Sequence, residues 1–405
     1  MRDKTVVIYG LGYIGLPTSA LLTSNDFKVL GVDINQEIVD KVNKGVIHIV
    51  EPGLEDLIHK AIDSNLFVAS IEPQKGDIYI ISVPTPLLEK QEKYEPDISY
   101  VLDVAKDIAP LLKEHDLVIL ESTCPIGTTD KILEIFDQKT NLADTIFLAY
   151  CPERVLPGNI MSELVSNDRV VGGVNPASAK EVAIFYKTFV EGKVVETDAK
   201  TAEMCKLAEN SFRDLNIAFA NELSLFAEKL DIDINQLIEI TNLHPRVNIH
   251  QPGIGVGGHC IAIDPWFLYF QDPENSKLIR LSRQINTDKT IYIENRIKLC
   301  IEKYISDNNE KPKVSFFGIS YKPDTDDMRE SPAYQILRSL KEVIEDFNVV
   351  EPHLSSFEDF KLISTEQAIE ESDIIVFLVK HSEFSMKLAK EDFGNKIVLD
   401  FVGLT

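Results

Sequence analysis

Positive charge is in short supply in this chain. Its 405 residues carry 41 Lys and Arg against 65 Asp and Glu, a formal net charge of −24. That balance excludes the broad basic face with which a protein grips nucleic acid or an anionic membrane, so neither is an expected partner. A few converging Lys and Arg could still hold a small anion. Cysteine is scarce as well: five, odd in number and widely spaced, with no C-x-x-C and no Cys/His cluster. A disulfide framework and a structural zinc site are thereby excluded, and no metal is expected. No apolar run approaches the ~20 residues that a membrane helix needs. The opening "MRDK" runs straight into a strand-like segment, so no signal peptide is expected. The expectation is a cytosolic protein with reduced thiols.

The length allows two or three domains with substantial cores. In the first third, "TVVIYG", "KVLGVD", "DIYIISVP" and "LVILEST" are short β-branched runs bounded by turn or charged residues. They read as strands of a parallel sheet buried on both faces, with helical stretches such as "ISYVLDVAKDIAPLL" between them. The last quarter repeats the theme in "KVSFFGIS", "FNVVEPH", "SDIIVFLVKH" and "KIVLDF". A mostly helical middle separates the two. Its longest element is expected from Ala199 to about Leu230, with Phe219, Leu223, Phe226 and Leu230 on one apolar stripe. Core packing explains such a stripe; a hinge or a dimer interface would as well. The expected fold is α/β: two Rossmann-like doubly wound domains, 1–198 and 306–405, joined by a helical domain, 199–305, with a long spine helix.

Two stretches satisfy G-x-G-x-x-G. "GLGYIG", Gly10 to Gly15, follows the strand "TVVIY" and leads into a helical segment in which Pro17 falls in the tolerant first turn. The next strand ends in Asp33, near the offset at which an acid binds a ribose. Gly10 would make the tight turn, Gly12 would admit the pyrophosphate, and Gly15 would let helix and strand pack closely. Asp33 would repel a 2′-phosphate, which predicts NAD rather than NADP. The second stretch, Gly253 to Gly258 in "PGIGVGGHC", follows no strand, and Pro265 interrupts any helix after it. This loop is expected to wrap a substrate and to aim the residue behind it, Cys260.

A lone cysteine is usually a small buried hydrophobe, the expected role of Cys124, Cys151, Cys205 and Cys300. Cys260 differs, with the glycine run before it and Asp264 four residues after it. A nicotinamide cofactor and a nucleophilic thiol together suit one reaction class. Oxidising an alcohol to an aldehyde needs a base and an electron acceptor. Going on to the acid needs a tetrahedral adduct, which a thiolate supplies as a thiohemiacetal; the thioester that follows is hydrolysed. Lys206 and Asn210 lie four apart, hence on one helix face, either poised toward a developing oxyanion or merely solvated.

The chain resembles the UDP-glucose/GDP-mannose dehydrogenase superfamily over nearly its whole length. The resemblance is carried by "GLGYIGLP", "HIVEP", "VPTP", "ESTCPIG", "YCPERVLPG", "TAEMCKLAENSFRD", "HPRVN", "GVGGHCIAIDPWF" and "RESPA". Within it, "CPERVLPG" and "GHCIAIDPWF" imply the branch acting on UDP-N-acetylmannosamine, with UDP-N-acetylglucosamine or UDP-glucose as alternative substrates. A silent NAD-binding regulator and a two-electron alcohol dehydrogenase are rivals that Cys260 disfavours. The resemblance implies that Cys260 is the nucleophile and Lys206 the proton donor or oxyanion partner, with Asn210 and Asp264 supporting the oxyanion and the hydrolytic water. Glu153 matches a catalytic-site glutamate, and Thr123 is expected at both the catalytic and the cofactor site. Tyr13, Ile14, Asp33, Thr85, Thr123 and Arg329 would surround NAD. Arg154, Val155, Lys206, Asn210, Arg213, His244, Arg246, Gly257, Tyr321 and Lys322 would contact the UDP-sugar, Arg246 in a neighbouring subunit's site. A homodimer or higher homo-oligomer is implied. UDP-glucose dehydrogenases place a second glutamate where this chain has Pro157 and a lysine where it has Ile263, and both departures disfavour UDP-glucose. The C-terminus, "LDFVGLT", lacks a basic residue that relatives often carry there.

Overall fold

A computed structural model describes residues 1–49, 51–90, 93–344, 346–388 and 393–404; Val50 of "HIVEP" and the C-terminal Thr405 fall outside them. The described chain divides into two compact units. One is Met1–Glu209 with Trp266–Gln271, the other Asn210–Pro265 with Asp272–Thr405.

The first unit is built on β1 (Thr5–Tyr9), β2 (Lys28–Val32), β3 (Phe67–Ser70), β4 (Ile78–Ile81), β7 (Leu117–Leu120), β8 (Phe147–Tyr150), β9 (Arg169–Gly173) and β10 (Val194–Asp198), with a separate hairpin of β5 (Leu87–Lys90) and β6 (Lys93–Pro96). The sheet order is β10-β9-β8-β7-β4-β1-β2-β3. All neighbours run parallel except β8 and β9. The central strands read as unbroken apolar runs because both faces are covered. Val6, Ile8, Ile78, Ile80, Leu117 and Ile119 fill one core. The alternating Val7, Tyr9, Tyr79, Ile81, Val118 and Leu120 fill the other, as the period of two requires. Strand order reverses beside β1, with β2 on one side and β4 on the other. At such a switch point the carboxyl ends of the strands leave a crevice for a ligand.

The second unit holds a four-stranded parallel sheet in the order β12-β11-β13-β14: β11 (Val314–Phe317), β12 (Asn348–Val350), β13 (Ile374–Phe377) and β14 (Ile397–Asp400). Both expected parallel α/β sheets are thus present. The spine helix spans Ala199–Lys229. Its expected stripe did not turn out to be core. Phe219, Phe226 and Leu230 are 47, 59 and 66 % exposed, and of the four only Leu223 packs, against Ala220, Ile238 and Ile249. A period of 3.6 shows that a face is apolar, not what covers it. A second long helix, Lys277–Asn308, exceeds the spine by one residue and was not foreseen. In the second unit the two helices share a buried polar ladder: Arg283 Nη1 lies 2.6 Å from Asp214 Oδ1, and Asn286 Nδ2 donates to that oxygen at 2.8 Å. Cys124 and Cys151 are buried as expected, whereas Cys205 and Cys300 are only half-buried. Among the described residues no helix is long and apolar enough to cross a membrane.

Candidate active site

The first glycine loop leaves β1 with Gly10 at φ +92°, and a Cβ there would lie 2.6 Å from the Ser82 carbonyl oxygen. A Cβ on Gly15 would strike the Gly10 carbonyl oxygen, so strand and helix meet as closely as backbones can. Around Gly12 the space is open, with nothing within 4 Å of a Cβ. Tyr13 and Ile14 complete the loop, and Ile14 caps the helix Gly15–Ser24, whose N-terminal end thus directly follows the glycine turn. At the end of β2, Asp33 accepts the Leu11 N–H through Oδ2 and the Asn35 N–H through Oδ1, each at 2.9 Å. The carboxylate is thereby fixed to the glycine loop. Thr85, beyond β4, donates its hydroxyl to the Thr123 carbonyl beyond β7 at 2.6 Å. Gly10, Gly12, Gly15, Asp33, Thr85 and Thr123 therefore gather at the carboxyl ends of β1, β2, β4 and β7. His48 was not singled out from sequence. Burial holds its imidazole below the usual value, against the opposing pull of the Asp33 charge.

A second group in the same unit follows β8. Glu153 is buried; its Oε2 pairs with Arg169 Nη1 at 2.6 Å and its Oε1 accepts the Arg154 N–H at 2.7 Å. The Glu153 backbone carbonyl accepts a hydrogen bond from Lys206 Nζ at 2.9 Å. Lys206 is only 8 % exposed, so its helix face is not simply solvated. Arg154 reaches Glu209 at 2.7 Å, and Val155 packs at the margin of the core. Behind Glu153 lies a layer that sequence reasoning missed. The Arg169 guanidinium sits over the Tyr186 ring, 5.3 Å from its centroid. The Tyr186 hydroxyl donates to Glu121 Oε1 at 2.7 Å, and Ser82 donates to Oε2 at 3.1 Å. Burial pushes the Glu121 carboxyl up to about 7 and the Cys151 thiol up to about 12. "ESTCPIG" marked Glu121 as part of a motif, but its partner lies 65 positions away.

The second glycine loop belongs to the second unit and is wedged against protein. Asn221 Oδ1 accepts the Gly253 N–H at 2.8 Å, and Thr290 donates its hydroxyl to the Ile254 carbonyl at 2.9 Å. A Cβ on Gly257 would lie 2.5 Å from the Glu330 carbonyl oxygen, and one on Gly258 2.7 Å from the Tyr321 ring. Only glycine allows so close an approach at these two positions. Behind them the chain turns. The Cys260 carbonyl accepts the Asp264 N–H at 2.8 Å, and the helix Asp264–Gln271 begins, with Pro265 harmless in its first turn. Asp264 is buried, and its Oδ2 accepts from Asn210 Nδ2 at 2.5 Å. Tyr321 is pushed up to about 12 by burial first, then by the charges of Asp327 and Cys260, against Arg329 and Arg213. Cys260, Arg213, Tyr321, Asp327 and Arg329 are thus electrostatic neighbours. Lys322 Nζ stands 5.7 Å from the Tyr321 ring centroid. Arg329, expected among the cofactor residues, lies in this second unit and grips Asp327 at 2.6 and 2.9 Å. His244 and Arg246 share an exposed turn, where His244 Nδ1 accepts the Arg246 N–H at 3.3 Å. His259 was also missed; its Nδ1 lies 2.8 Å from Cys260 Sγ.

Three domain descriptions of the UDP-glucose/GDP-mannose dehydrogenase family match in sequence order: the NAD binding domain over residues 4–190, the central domain over 200–288 and the UDP binding domain over 315–405. A UDP-N-acetyl-D-mannosamine dehydrogenase of Campylobacter jejuni is 46 % identical over 396 residues, covering 94 % of this chain and 96 % of its own. An NDP-N-acetyl-D-galactosaminuronic acid dehydrogenase of Ralstonia solanacearum is 44 % identical over 415 residues, covering 99 % and 96 %. Among solved structures, the UDP-D-ManNAc dehydrogenase of Pyrococcus horikoshii superposes with a TM-score of 0.90 at 35 % identity, covering 99 % of this chain and 96 % of the other.

Proposed function

We propose that this chain, which belongs to the UDP-glucose/GDP-mannose dehydrogenase family, oxidises carbon 6 of UDP-N-acetyl-D-mannosamine to the carboxylate at the expense of two NAD. The observation that carries this reading is the setting of Cys260. A nucleophile leaves a glycine turn, with the buried Asp264 held by the half-buried Asn210 just behind it, in a chain matched along its length by UDP-N-acetyl-D-mannosamine dehydrogenases. The NAD fit rests on Gly12, where a Cβ would meet nothing within 4 Å, and on Asp33, held by two amides. NAD, when bound, accepts a hydride at each of the two oxidations.

The chain's own groups do the rest. Cys260 Sγ bonds to the aldehyde carbon, which gives a thiohemiacetal and, after the second oxidation, a thioester that water opens. Overall, one alcohol, two NAD⁺ and one water give one carboxylate, two NADH and three protons. Lys206 donates to the developing oxyanion, and the Glu153 carbonyl that holds its ammonium aims it. Asn210 orients the Asp264 carboxylate, which steers the hydrolytic water. Arg154, Val155, Arg213, His244, Arg246, Gly257, Tyr321 and Lys322 hold the nucleotide sugar, and Tyr13, Ile14, Thr85, Thr123 and Arg329 complete the cofactor site. Three functional segments, 1–198, 199–305 and 306–405, go with these roles. The exposed Phe219, Phe226 and Leu230 of the spine helix support a homodimer through that face. A cytoplasmic setting suits a thiol that must stay reduced.

The Ralstonia relative favours a second reading, the same chemistry on UDP-N-acetylgalactosamine. The test incubates the purified chain and NAD with UDP-N-acetylmannosamine, UDP-N-acetylglucosamine, UDP-N-acetylgalactosamine and UDP-glucose in parallel, following NADH and product mass. Two NADH per uronate, fastest with the manno sugar, is expected. Preference for any other sugar would replace the proposed substrate.

A further inference from the structure

His259 Nδ1 stands 2.8 Å from Cys260 Sγ, although the two residues are adjacent in the chain. In an extended strand such neighbours would point to opposite faces. Here the chain is turning. Gly258 takes φ +82°, its N–H is held by the Arg329 carbonyl at 3.0 Å, and the Tyr321 ring fills the place of a Cβ. Residues 259–263 continue as a turn before the helix at Asp264. The glycine run thus brings an imidazole and a thiol together on the same side. Tyr321 is within electrostatic reach of Cys260, as it is of Arg329 and Arg213, and Asp327 is within reach of His259. Asp327 favours a protonated imidazole. His259 is exposed, so it can exchange protons with water.

We propose that His259 is the base that takes the proton of Cys260, a catalytic role resting on the reading of Cys260 as nucleophile. The Sγ–H bond breaks, its proton goes to Nδ1, and the sulfur electron pair forms the bond to the aldehyde carbon. The carbonyl π pair moves to oxygen, which takes a proton from Lys206, and nothing is oxidised in this step. When the thioester is opened, the C–S pair returns to sulfur and Nδ1 gives its proton back.

The test is the rate at which iodoacetamide labels Cys260, followed by peptide mass from pH 5 to 10, in the wild type and in His259→Gln. The wild type should label with a midpoint well below the ordinary thiol value of about 8.5. In His259→Gln the midpoint should return toward that value, and labelling at pH 7 should fall about tenfold. Uronate formation from added aldehyde should fall with it, while NAD affinity stays unchanged. His259→Asn serves the same comparison should the first variant fold poorly. Superimposable profiles in wild type and variant would overturn the role of His259 and leave that of Cys260 intact. Full uronate formation by Cys260→Ala would instead remove the nucleophile, and this proposal with it.

Discussion

Arg169 and Glu153 form a buried ion pair, 2.6 Å from Nη1 to Oε2, and the Glu153 backbone carbonyl in turn holds the Lys206 ammonium at 2.9 Å. Removing one partner of such a pair strands a charge in the interior at about 3–5 kcal/mol. Arg169→Met should therefore lower unfolding free energy by that order in urea titration. Lys206 should lose its aim as well, so kcat should drop more than KM for the sugar nucleotide changes. A variant destabilised but catalytically normal would show that the pair serves folding alone.

Asp33 predicts the choice of cofactor. A 2′-phosphate beside this carboxylate meets like charge, and the hydrogen bonds to a ribose hydroxyl are lost, each charge-assisted bond contributing about 1.5–3 kcal/mol. The kcat/KM for NAD should exceed that for NADP at least tenfold, and Asp33→Asn should narrow the ratio. Equal turnover of the two cofactors by the unaltered chain would remove Asp33 from the ribose site.

In the proposed path Cys260 enters only at the second oxidation, so Cys260→Ala should bind NAD and sugar almost normally yet make no uronate. Cys260→Ser is more telling. Its ester opens less readily than a thioester, and a covalent sugar adduct should accumulate on the peptide carrying residue 260. Intact-protein mass after one turnover reads this directly, and absence of added mass in the serine variant counts against a covalent path.

Glu121 predicts a pH dependence of stability. Burial raises its carboxyl from the usual range to about 7, so the folded chain binds a proton that the unfolded chain releases near 4.5. Stability conferred by this group is present below that value and is lost as pH rises through about 7, a swing of roughly 3 kcal/mol. Glu121→Gln should flatten the curve, gaining on the wild type between pH 5 and 8 in denaturant titrations. Parallel curves would mean that Glu121 is ionised throughout.

How much could be read in advance depended on distance along the chain. The first glycine loop was legible because strand, turn, helix and Asp33 fall within one short βαβ stretch. Lys206 and Asn210 could be placed on one helix face by their spacing. What holds them could not, since the Glu153 carbonyl and Asp264 lie 53 and 54 residues away. The helix Lys277–Asn308 escaped notice for another reason. Its inward face carries Ser282, Arg283, Asn286, Lys289 and Thr290, buried polar residues that blur the apolar period from which a helix is read. His259 beside Cys260 was hidden by adjacency, because neighbouring residues are assumed to diverge until a turn is seen.

The stacking of Tyr94 on Trp266, with centroids 3.8 Å apart and planes at 15°, has a spectroscopic consequence. Trp266 is the only tryptophan in the chain, so the ultraviolet emission of the protein has a single indole source, two residues after Asp264. Its ring environment is set by the hairpin β5–β6, which follows the loop carrying Thr85. Any event that shifts this hairpin must change the colour or lifetime of one identifiable fluorophore. The molecule thus carries its own optical probe of the hairpin behind the Thr85 loop, with no label to attach.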